Sequence, residues 1–227
     1  MQGTYTKAVL IVSLLIACGG TNDAPPARQD SAATVSSTAR APSILVLGTS
    51  LTAGYGIDIS ESWPSRLQKR IDSAGLAYRV VNAGVSGETS AGVLRRADWV
   101  LAREHPAVLV LETGGNDGLR GLDPDTLKAN ILGVFSRAKA LTPSPVLVLM
   151  AMEAPPNLGD TYTRRFHAVY AEAARESGAT LIPFFLDGIA GVDSLNQPDG
   201  IHPNARGADR AASNAWQTLS EVLRQSP

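Results

Sequence analysis

Between Ser43 and the C-terminus, short apolar runs alternate with longer stretches in which apolar residues recur every three or four positions. Ile44 to Leu47 is a continuous apolar run that stops at Gly48. Similar runs cover Tyr78 to Val81, Ala107 to Leu111, Val146 to Met150 and Thr180 to Phe185. Continuous rather than alternating apolar residues predict strands buried on both faces. The intervening stretches predict helices over Trp63 to Ala74, Thr89 to Glu104, Asp123 onward, Thr161 to Ser177 and Ala205 to Leu223. Two of them carry start signals: Pro64 near the first turn, and Asp123-Pro124 as a cap residue followed by proline. Leu127, Ile131, Phe135 and Ala138 share one helical face, as do Ala215, Leu219 and Leu223.

Five buried strands alternating with helices predict an α/β fold: a five-stranded parallel sheet inside a three-layer α/β/α sandwich of flavodoxin-like type. No internal repeat or second domain is visible. Ligands of such sheets bind beyond the carboxyl ends of the strands, so the chemistry should sit just after strands.

The first forty residues follow a different pattern. Lys7 precedes an apolar or small run from Ala8 to Ala17, too short to span a bilayer, which needs about 20 residues. It has the form of a secretory signal peptide. The run ends at Leu15-Ile16-Ala17-Cys18-Gly19, which resembles the lipobox of bacterial lipoproteins, in which the cysteine is lipidated and becomes the new N-terminus. An ordinary signal peptide with an incidental cysteine is the alternative. Residues 19–42 are rich in Ala, Ser, Thr and Pro without apolar periodicity, the composition of a flexible spacer. The expected organisation is a lipoprotein signal peptide over 1–17, a tether over 18–42 that begins at lipidated Cys18, and a catalytic domain over 43–227. The product would be exported and membrane-anchored through Cys18, facing the periplasm.

Composition narrows the function. With 20 basic and 21 acidic side chains and no basic stripe, the chain lacks the footprint of a nucleic-acid-binding protein. Its single cysteine can build neither an internal disulfide nor a cysteine-based zinc site. Aromatics are only 5% of residues, so Val, Leu, Ile and Ala must fill the core.

Four blocks carry candidate chemistry. Gly48-Thr49-Ser50-Leu51-Thr52-Ala53-Gly54 follows the first strand and could expose Ser50 on a sharp turn. It is not the G-x-S-x-G elbow, because Thr52 stands where that motif has glycine. Asn82-Ala83-Gly84-Val85-Ser86-Gly87-Glu88-Thr89 follows the second strand, where Gly84 could offer a backbone N–H. Gly114-Gly115-Asn116-Asp117-Gly118 follows the third, with the Asn116 amide as a donor; a plain glycine-rich turn is the alternative. Asp199-Gly200-Ile201-His202-Pro203-Asn204 closes a long irregular stretch before the last helix. Of the three histidines, His105, His167 and His202, only His202 has an acid three residues away, a spacing that lets a carboxylate orient the ring toward a nucleophile.

Together these blocks resemble those of the SGNH hydrolases, or GDSL family, with Ser50, Gly84, Asn116 and His202 matching the four name-giving residues. Gly114 to Gly121, Ala154 to Gly159 and Leu195 to Asn204 are similar to runs of the thioesterase I/lysophospholipase L1/arylesterase branch. The resemblance implies a Ser50–His202–Asp199 triad, an oxyanion hole from Ser50, Gly84 and Asn116, and hydrolysis of aryl esters, short to medium acyl esters, lysophospholipids or acyl thioesters through an acyl-enzyme. It implies no cofactor or metal, and a monomer acting on a small-molecule ester. One departure stands out: the family usually has aspartate before the nucleophile, and this chain has Thr49, which puts the rigidity of the nucleophile loop in question. Leu119, Met152, Pro155, Pro156 and Leu158 are candidates for an apolar acyl wall, or else simply pack the loops. Two other readings stay open: a carbohydrate O-acetyl esterase of the same fold, and a non-catalytic binding lipoprotein.

Overall fold

The computed structural model describes residues 41–225. The expected signal peptide, Cys18 and nearly all of the tether lie outside the described residues. The sheet is formed by β1 (Ser43–Gly48), β2 (Arg79–Gly84), β3 (Val108–Glu112), β4 (Val146–Met150) and β5 (Thr180–Ile182). All pairings are parallel, in the order β2-β1-β3-β4-β5. This is the expected doubly wound arrangement, in which the order reverses beside β1 and leaves a crevice for ligands.

The helices are α1 (Ser50–Ala53), α2 (Trp63–Ser73), α3 (Ser90–Glu104), α4 (Gly115–Leu119), α5 (Pro124–Lys139), α6 (Asp160–Ser177) and α7 (Ala205–Gln225). The five long ones match the periodic stretches to within a few residues. At the start of α5 the Asp123 carboxylate accepts from the Asp125 and Thr126 N–H groups, the cap its sequence announced. Leu127, Ile131, Phe135 and Ala138 are all buried.

Two strands depart from expectation. β2 is half-buried along its length rather than buried on both faces, because it is an edge strand. It ends at Gly84, as expected, where its register against β1 reaches the pair Gly48 and Gly84. β5 stops at Ile182 instead of Phe185. Pro183 has no N–H to extend the ladder. The short helices α1 and α4 were not expected; their glycine-rich sequences read as turns. Both lie beyond carboxyl ends of strands, so the central strands β1 and β3 run straight into the candidate site. These two strands are wholly buried and anchor the core.

Candidate active site

Ser50 is the first residue of α1, directly after β1, and is 8% exposed. Its turn is held from beneath by a side chain outside the four sequence blocks. Glu112, at the end of β3, is fully buried, and its carboxylate accepts from the Thr49 N–H at 2.8 Å, the Thr49 hydroxyl at 2.9 Å and the Thr52 hydroxyl at 2.8 Å. A buried carboxylate is costly unless its lone pairs are satisfied, and these donors satisfy them. Thr49, the departure from the family pattern, therefore secures the loop by donating to Glu112. Gly48 is glycine for a related reason: a Cβ there would lie 2.1 Å from the Thr52 hydroxyl and 2.8 Å from the Glu112 carboxylate.

His202 arrives from the opposite side, on the irregular segment before α7. Its Nε2 lies 2.9 Å from Ser50 Oγ and its Nδ1 2.7 Å from Asp199 Oδ2. Asp199 Oδ1 accepts from the backbone N–H groups of Ile201 and His202, at 2.9 and 3.0 Å. The His202 N–H, then the imidazole, then the Ile201 N–H stabilise the charged carboxylate and draw Asp199 down to about 2. Gln197 links this segment to the nucleophile loop by donating to the Tyr55 and Pro203 carbonyls. The Tyr55 ring lies 4.7 Å from that of His202.

Asn116 stands on α4, lining the same cavity as Ser50 and His202. One of its amide protons goes to the Glu88 carbonyl at 2.9 Å. A primary amide has two, so the second remains to meet a ligand. Its neighbour Asp117 is buried and accepts from the Ser90 N–H and hydroxyl, tying α4 to the start of α3. Arg96 on α3 donates to the Gly48 and Ala83 carbonyls and pairs with Glu88 at 2.7 Å, bracing the ends of β1 and β2. Neither residue was singled out from sequence, because both act across elements distant along the chain.

The structure does not bring Gly84 to the oxyanion position. Its N–H donates to Asn82 Oδ1 at 3.0 Å, and a Cβ there would lie 2.2 Å from the Ala53 nitrogen, so Gly84 is a packing glycine beneath α1. A second glycine lies three residues on. Gly87 adopts φ +78° with open space around it. Its carbonyl accepts from Arg120, and the next carbonyl, that of Glu88, is the one that holds Asn116. The Ser50 N–H, at the start of α1, has no acceptor among the described residues.

A cavity of about 740 Å³ opens beside Ser50. Leu119, Met152, Pro155 and Pro156 line it as expected; Leu158 does not, and instead lies under Gly121. Phe184, Leu186, Ala190 and Ile201 complete the apolar wall; none was among the expected wall residues, since Phe184 falls in the expected fifth strand and Ile201 beside His202. His105 caps α3 in a left-handed conformation, away from these groups. His167, expected at the surface, is exposed but pairs with Glu153 on the cavity wall. Among the described residues, no group of three or more His, Cys, Asp or Glu side chains could hold a metal ion.

Comparison with known proteins places this arrangement in context. The sequence model of the GDSL-like lipase/acylhydrolase family matches residues 46–210. Esterase TesA of Pseudomonas aeruginosa is 43% identical over 185 residues, 82% of this chain and 91% of that protein. Thioesterase 1/protease 1/lysophospholipase L1 of Escherichia coli K12 is 37% identical over 166 residues, covering 73% of this chain and 77% of its own length. The crystal structure of the psychrotrophic esterase EstA from Pseudoalteromonas sp., inhibited by monoethylphosphonate, superposes with a TM-score of 0.76 at 32% identity, covering 81% of this chain and 99% of EstA.

Proposed function

The chain belongs to the GDSL-like lipase/acylhydrolase family and is a carboxylic ester hydrolase, and on that premise we propose that it works as a serine esterase with Ser50 as nucleophile, His202 as general base and Asp199 as the group that orients the imidazole. The observation that carries the proposal is the unbroken hydrogen-bond chain from Ser50 Oγ through both ring nitrogens of His202 to Asp199. His202 takes the Ser50 proton as Oγ attacks the ester carbonyl, and Asp199 stabilises the imidazolium that forms. The Ser50 N–H, the second Asn116 amide proton and the Gly87 N–H, in place of Gly84, receive the charge on the carbonyl oxygen. The protonated imidazole gives its proton to the leaving alcohol or thiol. Water then attacks the acyl-enzyme with His202 as base, and the acid is released.

The substrates are aryl esters, short to medium acyl esters, lysophospholipids and acyl thioesters. The apolar cavity wall supports acyl chains over sugar acetates, which would need polar partners for ring hydroxyls. Hydrolysis of short p-nitrophenyl esters by residues 41–227, abolished in folded Ser50→Ala, is the expected result. A phosphonate ester should label the native serine and not the variant. Hydrolysis that survives Ser50→Ala sinks the assignment.

We place the enzyme outside the cytoplasm on a lipid tether, following the Ala17-Cys18-Gly19 pattern. Expression of the full chain in a bacterium fed labelled palmitate should label the native sequence and not Cys18→Ser; equal labelling of the two would remove the anchor.

A further inference from the structure

Among the described residues, the wall of the active-site cavity is apolar apart from the proposed reacting groups, Thr49 and one further ionisable side chain. Glu153, on the segment after β4, lies between Met152 and Ala154 in that wall. No lysine or arginine is among the described lining residues. The carboxylate is not spent on a buried ion pair. Its partner is His167 on α6, whose Nδ1 donates to Oε1 at 2.6 Å. The His167 side chain is 69% exposed and that of Glu153 is 36% exposed. The pair therefore stands at the lip of the cavity, with the imidazole on its outer side fixing the carboxylate against the wall. Asp199, the nearest acid of the reacting groups, has both oxygens occupied by His202 and Ile201. Glu153 is thus the one carboxylate among the described residues that line the cavity.

We propose that Glu153, held by His167, is a charge selector that favours substrates carrying a positive charge near the ester and disfavours anionic ones. The inference rests on the esterase reading above and deepens it. Nothing in the Ser50–His202–Asp199 arrangement distinguishes substrate charge, and an apolar pocket by itself rejects cations and anions alike. A fixed carboxylate in a partly desolvated wall breaks that symmetry. Two unit charges several ångströms apart at a half-exposed site interact enough to change a rate constant by roughly fivefold to tenfold. The effect should weaken with salt, because both partners of the pair are open to solvent.

The test uses two series of esters and reads only ratios to the neutral member. In the first, the acyl group is always butyryl and the leaving thiol is thiocholine, mercaptoethanol or mercaptopropionate. In the second, the leaving group is always p-nitrophenol and the acyl group is 6-(trimethylammonio)hexanoyl, hexanoyl or the half-ester of adipic acid. The native chain should hydrolyse the cationic member best and the anionic member worst, by kcat/KM, in the series whose charged end faces Glu153. Glu153→Gln should compress that spread about fivefold, Glu153→Lys should invert it, and 0.5 M salt should compress it in the native chain. The same spread in native and both variants, or a spread untouched by salt, overturns the selector while leaving the esterase intact. Failure of the native chain to hydrolyse the neutral esters overturns both readings.

Discussion

The two halves of the reacting site are built in opposite ways. Ser50 sits at the centre of the sheet, on a turn whose hydrogen bonds run to Glu112, more than sixty residues away and fully buried. His202 sits on an exposed loop whose bonds are nearly all local: Asp199 to residues two and three positions on, Asn196 to the Ile189 and Val192 carbonyls, and Asn204 to the Ser194 and Asn196 carbonyls. Position on the nucleophile side is secured by the core. On the histidine side it is secured by the loop's own turns. Damage to the first should cost stability as well as rate, and damage to the second should cost rate almost alone.

The largest expected effect sharpens that contrast. His202→Gln should lower kcat by about 10⁴-fold or more, by analogy with triads in which single members act as a unit. Its unfolding temperature should stay within about 2 °C of native, because the ring is held by a loop and not by the core. A large drop in thermal stability would show that the histidine loop is also a structural keystone and break the comparison. Next comes Asn116→Ala, with a loss of about 10²–10³-fold in kcat, or about 3 kcal/mol of barrier, if its second amide proton meets the oxyanion. A loss confined to KM would move Asn116 from the transition state to ground-state binding.

The nucleophile side should behave differently. Thr49→Val removes one donor to a buried carboxylate and should cost about 1–3 kcal/mol of stability, a fall in unfolding temperature of several degrees. Rate should fall by a smaller factor, about tenfold, through a looser Ser50 turn. Thr49→Asp, which restores the usual family residue, sets a second carboxylate against Glu112 and should be no better than Thr49→Val unless the pair shares a proton. Calorimetry and p-nitrophenyl ester kinetics on the same preparations separate the two effects. Equal stability in native and Thr49→Val would mean that the Glu112 network is dispensable.

The same contrast explains what was legible in the sequence. The proposed triad could be read because Asp199 and His202 lie three residues apart, so their relation is written locally. The strands could be read because β1, β3 and β4 are central, and continuous apolar runs are what central strands require. β2 was misjudged in burial because edge position is a property of the sheet and not of Arg79 to Gly84. Glu112, Asp117 and Arg96 were missed because each bonds residues brought close only by the fold. Gly84 was expected as an oxyanion donor because Gly84 and Gly87 are equivalent as a pattern. Only the Asn82 side chain and the backbone of Ala53, pressed against Gly84, tell them apart. The acyl wall was half legible: Leu119, Met152, Pro155 and Pro156 sit in recognisable runs, whereas Phe184, Leu186 and Ala190 reach the cavity through a segment with no repeating pattern.

The smallest expected effect concerns the stability of the histidine loop rather than its chemistry. Asp199 is drawn from 3.8 to about 2 because the folded loop hydrogen-bonds its charged form. A carboxylate with a depressed value stabilises the folded state when ionised, so its contribution is present above 3.8 and fades as the pH falls through about 2. The side chain is 37% exposed, so solvent screening should keep the effect small, below about 3 °C in unfolding temperature. Asp199→Asn keeps an oxygen for the Ile201 and His202 N–H groups but cannot be ionised. The native chain should therefore unfold slightly above the variant at neutral pH, and the gap should narrow as the pH drops below 3.8. Thermal unfolding of both proteins between neutrality and the acid limit of folding measures that gap. If it stays constant over the whole range, the ionised carboxylate contributes nothing to the loop, and local geometry alone holds His202 against Ser50.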